Sequence, residues 1–235
     1  MIVLRSLIFS VVFWAFSTLA AILMLPLLLA PRSWMRAAVV GWVAVVVVLV
    51  RWICGVRLEI RGREHLPTGA ALVAAKHHCM LDTMAPFAAL PDACYVLRRT
   101  LLRIPFYGWY TQKAGIIAVD REGRAKALRQ LLADARRQIA GRRQIVIFPE
   151  GTRTAPGQSQ PYKPGVAALY RDLGVACTPL ATNSGLHWPA HGFIRRPGLI
   201  VYEFLPPIPP GLDRAEFMDM LRERIETASA ALALA

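Results

Sequence analysis

Residues 1 to 57 contain no aspartate and no glutamate; they carry five arginines, and the first carboxylate of the chain is Glu59. Charge of either sign is missing from Ser6 to Pro31, a run of 26 residues. A start of this kind excludes an ordinary solvated surface helix, which needs a polar face. The four cysteines, at 54, 79, 94 and 177, form no C-x-x-C pair and no paired metal pattern. Their spacing excludes a disulfide framework or a zinc ribbon and reads as buried thiols in a reducing compartment, with no metal expected. No internal repeat and no low-complexity region occurs, so a repeat architecture is excluded.

What the chain does have begins with that apolar start. The run of 26 exceeds the roughly 20 residues a helix needs to cross a bilayer. A second apolar stretch, Ala37 to Val50, has 14 residues before Arg51, which is short for a span unless the arginine snorkels. Pro26 and Pro31 bend or end the first helix. The pair reads as a transmembrane hairpin or as two helices embedded in one leaflet. A cleaved signal peptide is the competing reading for the first stretch; against it stand the length of the run and the second apolar segment, with only Arg32 and Arg36 between. The net charge is +13, the isoelectric point near 10.5 and the mean hydropathy +0.40. Basic residues flanking apolar segments favour the cytoplasmic side and an anionic lipid surface. Membrane lipids rather than nucleic acid are therefore the expected partners, and the cytoplasmic face of the inner membrane the expected location.

After Arg57 short apolar runs alternate with longer helical periods. Strands are predicted at Arg57 to Ile60, Ala70 to Ala75, Ala93 to Leu97, Ile116 to Val119, Gln144 to Phe148, Val175 to Leu180 and Leu199 to Phe204. Helices are predicted at about Leu81 to Ala89, Gly123 to Ala140 and Gly165 to Leu173, with a last one opening on Asp213 and Glu216 at capping-box spacing. Alternation of this kind predicts an α/β fold, a mostly parallel central sheet flanked by helices. Residues 1–57 form the membrane motif and 58–235 a second domain.

The chemistry collects at predicted strand ends, where α/β folds place ligand groups. In Lys76-His77-His78-Cys79-Met80-Leu81-Asp82, His77 leaves a strand and Asp82 falls in the first turn of the helix that follows. The carboxylate could then hold one imidazole nitrogen and leave the other as a general base. The bland alternative is a satisfied histidine beside an unrelated helix-capping aspartate. Cys79, two residues from His77, is conceivable as a nucleophile, although neighbours on a tight turn seldom point at each other. His187 and His191 lack the further ligands a zinc site needs. Phe148-Pro149-Glu150-Gly151-Thr152-Arg153-Thr154 closes another strand; Gly151 permits close backbone approach, and Arg153 offers a planar fork for phosphate. Lys163, Asp120 with Arg121, and Arg98 with Arg99 stand at comparable positions. Together they suggest one basic, anion-seeking cleft with a general base.

These segments resemble, in order and spacing, the four blocks of the lysophosphatidic acid acyltransferase family, over about residues 75 to 185. His77 and Asp82 match its His-x4-Asp motif, and Arg121 matches the arginine of the second block, Gly115 to Arg121. Glu150, Gly151, Thr152 and Arg153 match the third, and Ala176 to Leu180 resembles the proline-containing fourth. Arg98 and Arg99, with Ile104 to Gly108, are similar to a basic pair and an Ile-Pro-Phe-x-Gly segment between the first two blocks. Lys76-His77-His78-Cys79 departs from the Asn-His-Gln-Ser common there. The resemblance implies a glycerolipid acyltransferase domain over 58–235 that moves an acyl group from acyl-CoA or acyl carrier protein to the sn-2 hydroxyl of lysophosphatidic acid, without a cofactor. It implies His77 as base, Asp82 as its partner, and Arg121, Arg153, Arg98, Lys163 and the Glu150–Thr152 loop around the acceptor. Acylation of another lyso-lipid, or lipid binding without chemistry, are the alternatives.

Overall fold

The computed structural model of the chain describes residues 1–120 and 123–234. Helix α1 covers Ile2–Leu23 and α2 covers Arg32–Leu49, extended by a π-helical turn over Val50–Cys54. Both are long and apolar enough to cross a membrane. Pro26 opens the short 3-10 turn Leu25–Leu28 and Pro31 sits at the N-cap of α2, each where a missing N–H is tolerated.

The second helix is longer than its apolar stretch because Arg32 and Arg36 belong to its first turns. Arg32 grips Asp92 through two hydrogen bonds, 2.9 and 2.6 Å, and Arg36 donates to the Leu90 carbonyl at 2.6 Å. These two arginines, expected as membrane flanks, fasten the hairpin to the rest of the molecule. At the other end the Arg195 N–H donates to Ser6 Oγ at 2.8 Å, and Phe9 meets Trp188 edge-on at 5.6 Å. The Tyr110 hydroxyl donates to the Ala21 carbonyl. Both ends of the hairpin thus touch the domain.

Seven strands are seen among the described residues: β1 Val56–Arg61, β2 Ala71–Ala75, β3 Ala93–Arg98, β4 Ile117–Val119, β5 Gln144–Ile147, β6 Cys177–Thr182 and β7 Gly198–Phe204. They form one sheet in the order β1-β7-β6-β2-β5-β3-β4. Every pairing is parallel except β6 with β7. The mostly parallel sheet is as predicted, and each strand lies within two residues of its predicted place.

Central β2 reads Ala-Leu-Val-Ala-Ala and is buried throughout, as a strand covered on both faces must be. Val73 and Ala75 face one layer together with Val146, Leu180 and Tyr202, and this layer includes Phe9, Phe13, Val43 and Val46 of the hairpin. Leu72 and Ala74 face the other, packed with Leu131 and Ala135 of α5 (Arg124–Ala140), Val166 and Tyr170 of α6 (Gly165–Leu173), and Phe217, Leu221 and Ile225 of α8 (Arg214–Leu234). The hairpin is one layer of a three-layer sandwich.

The helix predicted over Leu81 to Ala89 is in fact a 3-10 turn, Met80–Thr83, followed by a short α3, Ala85–Ala89. Pro86 cannot donate to the Asp82 carbonyl, so one continuous helix is barred. Two short helices escaped the periodicity: α4, Tyr107–Lys113, and α7, Ser184–His187. Helix α4 is rich in aromatic residues, which are weak helix formers, and is fixed by packing instead. A Cβ on its Gly108 would lie 2.0 Å from the Leu102 carbonyl oxygen.

Candidate active site

Strands β6, β2, β5, β3 and β4 run the same way, so their C-terminal ends share one edge of the sheet, and the sequence places its polar motifs there. After β2 the chain exits at Lys76 and His77, then turns at Cys79, whose backbone N–H donates to Asp82 Oδ2 at 2.7 Å. This is a capping box: Asp82 lies three residues into the turn and reaches back to its start. The same oxygen accepts the His78 N–H at 2.6 Å and lies 3.1 Å from His77 Nδ1. One carboxylate therefore caps the turn and holds the imidazole, so the two readings left open by the sequence coexist.

Asp82 is 1% exposed and its second oxygen is occupied as well. Oδ1 accepts the Ser184 hydroxyl at 2.6 Å and the Tyr202 hydroxyl at 2.8 Å. Burial alone would raise its pKa, but the His77 contact, the Cys79 N–H and the Ser184 hydroxyl more than offset this and hold it at about 2. It is an anion at neutral pH. That charge selects the His77 tautomer with its proton on Nδ1, leaving Nε2 as the acceptor. The ring is part-buried, with 13% of its side chain exposed, and stacks on Phe148 at 4.0 Å. Ser184 and Tyr202 are the members of the site that sequence reasoning missed. Tyr202 looks like any inward residue of an alternating strand, and only the buried hydroxyl's need for a partner hints at more.

Cys79 does not fit a nucleophile. It is fully buried, and burial together with the Asp82 charge pushes its thiol up, away from the reactive thiolate.

The loop after β5 braces the histidine. Gly151 turns it with φ +68°, a conformation that favours glycine. Thr154 then donates its N–H to the His77 carbonyl at 2.8 Å, and its own carbonyl lies 2.7 Å from His78 Nδ1. Glu150 is turned inward: its side chain is 0% exposed and pairs with Lys76 at 2.6 Å. The geometry therefore removes Glu150 from contact with an acceptor and gives it a bracing role, with Oε2 accepting the His77 N–H at 3.2 Å. Thr152 and Arg153 are exposed, and Arg153 donates to the Ala190 carbonyl at 3.3 Å, in the loop after α7. Lys163 is exposed, and its N–H donates to the Pro149 carbonyl at 2.7 Å, beside the same loop.

Arg98 ends β3 and is exposed. Strand β3 stands two places from β2, about 10 Å away at ordinary strand spacing. The single cleft predicted from the sequence is thus spread along the edge, with Arg153 crossing toward α7 and Arg98 on the opposite side of His77. Arg121 lies outside the described residues; β4, which precedes it, is one strand further from His77 than β3.

The site thus brings together a part-buried histidine ring held by a buried carboxylate at the sheet edge and exposed cations along the same edge. The model of the acyltransferase family matches residues 57–183, more than half of the chain and all of the strands that carry these groups except β7. The chain belongs to this acyltransferase family. A 1-acyl-sn-glycerol-3-phosphate acyltransferase of Pseudomonas aeruginosa is 33% identical over 169 residues, 72% of this chain and 66% of that one. The mouse 1-acyl-sn-glycerol-3-phosphate acyltransferase alpha is 29% identical over 162 residues, 67% of this chain and 57% of its own. The chain thus spans somewhat less than two thirds of the length of these curated relatives. The crystal structure of a 1-acyl-sn-glycerophosphate acyltransferase from Thermotoga maritima superposes with a TM-score of 0.79, covering 99% of each chain at 18% identity. At that identity the likeness establishes the acyltransferase fold, hairpin included.

Proposed function

We propose that this acyltransferase moves a fatty acyl group from a thioester donor, acyl-CoA or acyl carrier protein, to the sn-2 hydroxyl of lysophosphatidic acid, giving phosphatidic acid. The observation that carries the reading is the 3.1 Å pairing of His77 with the buried Asp82 anion, at the edge where the family's motifs converge. His77 Nε2 takes the proton of the acceptor hydroxyl as its oxygen attacks the thioester carbonyl. Asp82 stabilises the imidazolium; as the C–S bond breaks, the proton passes to the departing thiolate. No acyl-enzyme forms, in keeping with the buried Cys79. The exposed cations Arg153, Lys163 and Arg98, together with Arg121, hold the acceptor's phosphate, and the names carried by the relatives support this acceptor.

The hairpin places the site where the substrate is. Its outward face carries Leu7, Val11, Trp14, Leu23, Leu29, Trp34, Val48 and Trp52, all exposed. Because both ends of the hairpin touch the domain, it lies along the sheet face, which supports embedding in one leaflet over a span. The five arginines of residues 1–57 support the cytoplasmic face.

The test is product analysis by mass spectrometry after incubating membranes containing the protein with lysophosphatidic acid and each donor. Phosphatidic acid is expected, and His77→Ala should lower the rate by about 10² to 10⁴ without releasing the protein from the membrane. Wild-type turnover in that variant would remove His77 from the mechanism. Equal turnover of a phosphate-free lyso-lipid would remove the phosphate grip.

A further inference from the structure

We infer that Glu226, on α8, is a positioning residue for the His77 site and acts through Lys76 and Glu150. The inference rests on the reading of His77 as the base. Glu226 lies 150 positions from Lys76 and belongs to none of the motifs above. Both of its oxygens accept from Lys76 Nζ at 2.8 Å. The same ammonium donates to Glu150 Oε1 at 2.6 Å, and the other Glu150 oxygen accepts the His77 N–H at 3.2 Å. Thr154 closes the circuit, its hydroxyl donating to Glu150 Oε1 at 3.0 Å and its N–H to the His77 carbonyl at 2.8 Å. Both peptide groups of His77 are thereby held by a loop whose anchor is Glu150.

The chemistry of Lys76 makes the second carboxylate necessary. Its side chain is 2% exposed, and a buried ammonium needs its charge neutralised and its three donors placed. Glu150 neutralises the charge, but with its second oxygen serving the His77 N–H and its first shared with the Thr154 hydroxyl it cannot place all three donors. Glu226, 26% exposed and steadied by the Tyr162 hydroxyl at 2.9 Å, accepts through both oxygens, with the Gln158 carbonyl a more distant acceptor at 3.4 Å. Without it the ammonium turns fully onto Glu150 and draws Oε2 away from the His77 N–H. A displacement of an ångström or less at the base is enough to slow a reaction that depends on alignment.

The experiment is a double-mutant cycle in the full-length, membrane-bound protein. Glu226→Gln should lower kcat roughly tenfold and leave KM for acceptor and thioester donor within about twofold. In a Lys76→Gln background, where an uncharged amide donates to Glu150 and needs no carboxylate from α8, Glu226→Gln should have no further effect. C2-deuteration of His77, followed by mass spectrometry without substrate, should change about twofold in Glu226→Gln and revert in the double variant, while Glu223→Gln leaves it unchanged. Equal losses in both backgrounds, an unchanged kcat, or loss of fold that Lys76→Gln does not repair would each overturn the inference. Because deuteration reads the ring without turnover, it decides the coupling even if lysophosphatidic acid proves not to be the acceptor.

Discussion

Replacing Asp82 by asparagine separates charge from shape at the centre of the site. The amide oxygen can take the place of Oδ2 and accept the His78 and Cys79 N–H groups, and the hydroxyls of Ser184 and Tyr202 can rotate to accept from the amide nitrogen. What goes is the anion. Its pKa falls from the ordinary 3.8 to about 2 on folding, which corresponds to roughly 2–3 kcal/mol of stability at neutral pH. The sign follows from the depressed value: the contribution is complete above pH ~4 and lost as pH falls through about 2. Asp82→Asn should therefore be less stable than the wild type by roughly 2–3 kcal/mol at pH 7. The difference should shrink to near zero by about pH 2, as followed by unfolding in detergent monitored by circular dichroism. Acyl transfer should fall by about 10² to 10⁴, since the imidazolium loses its counter-charge 3.1 Å away. An equally stable variant, or one with wild-type turnover, would refute the argument that this buried anion organises the site.

Two further outcomes are expected. Gly151→Ala forces a side chain into φ +68° and should destabilise by roughly 1–2 kcal/mol, lowering the thermal midpoint and, through the Thr154 bond to His77, the rate. An unchanged midpoint would mean the loop relaxes freely. Cys79 should resist alkylation in the folded protein at neutral pH, because it is buried with its thiol pushed up, and Cys79→Ala should keep acyl transfer. Rapid labelling with parallel inactivation would restore it as a nucleophile.

The local groups were legible in the amino-acid order. Apolar runs bounded by turns marked the seven strands seen among the described residues, most plainly β2, β5 and β6, where burial on two faces writes itself into four to six adjacent residues. The spacing of His77 and Asp82 allowed their meeting at a strand exit and the turn that follows, and the motifs around them, in family order, favoured it over an unrelated helix cap. Tertiary structure alone decided what surrounds them. Strand order brings Tyr202 of β7 and Ser184 of α7 to one carboxylate from more than 100 positions away, and no period in the sequence encodes such a contact. It also turned Glu150 inward against Lys76, spread the arginines along the sheet edge, and laid the hairpin on a sheet face, with Arg32 holding Asp92. Periodicity reports which way a residue faces within its own element. Which distant group it meets there depends on how the layers stack.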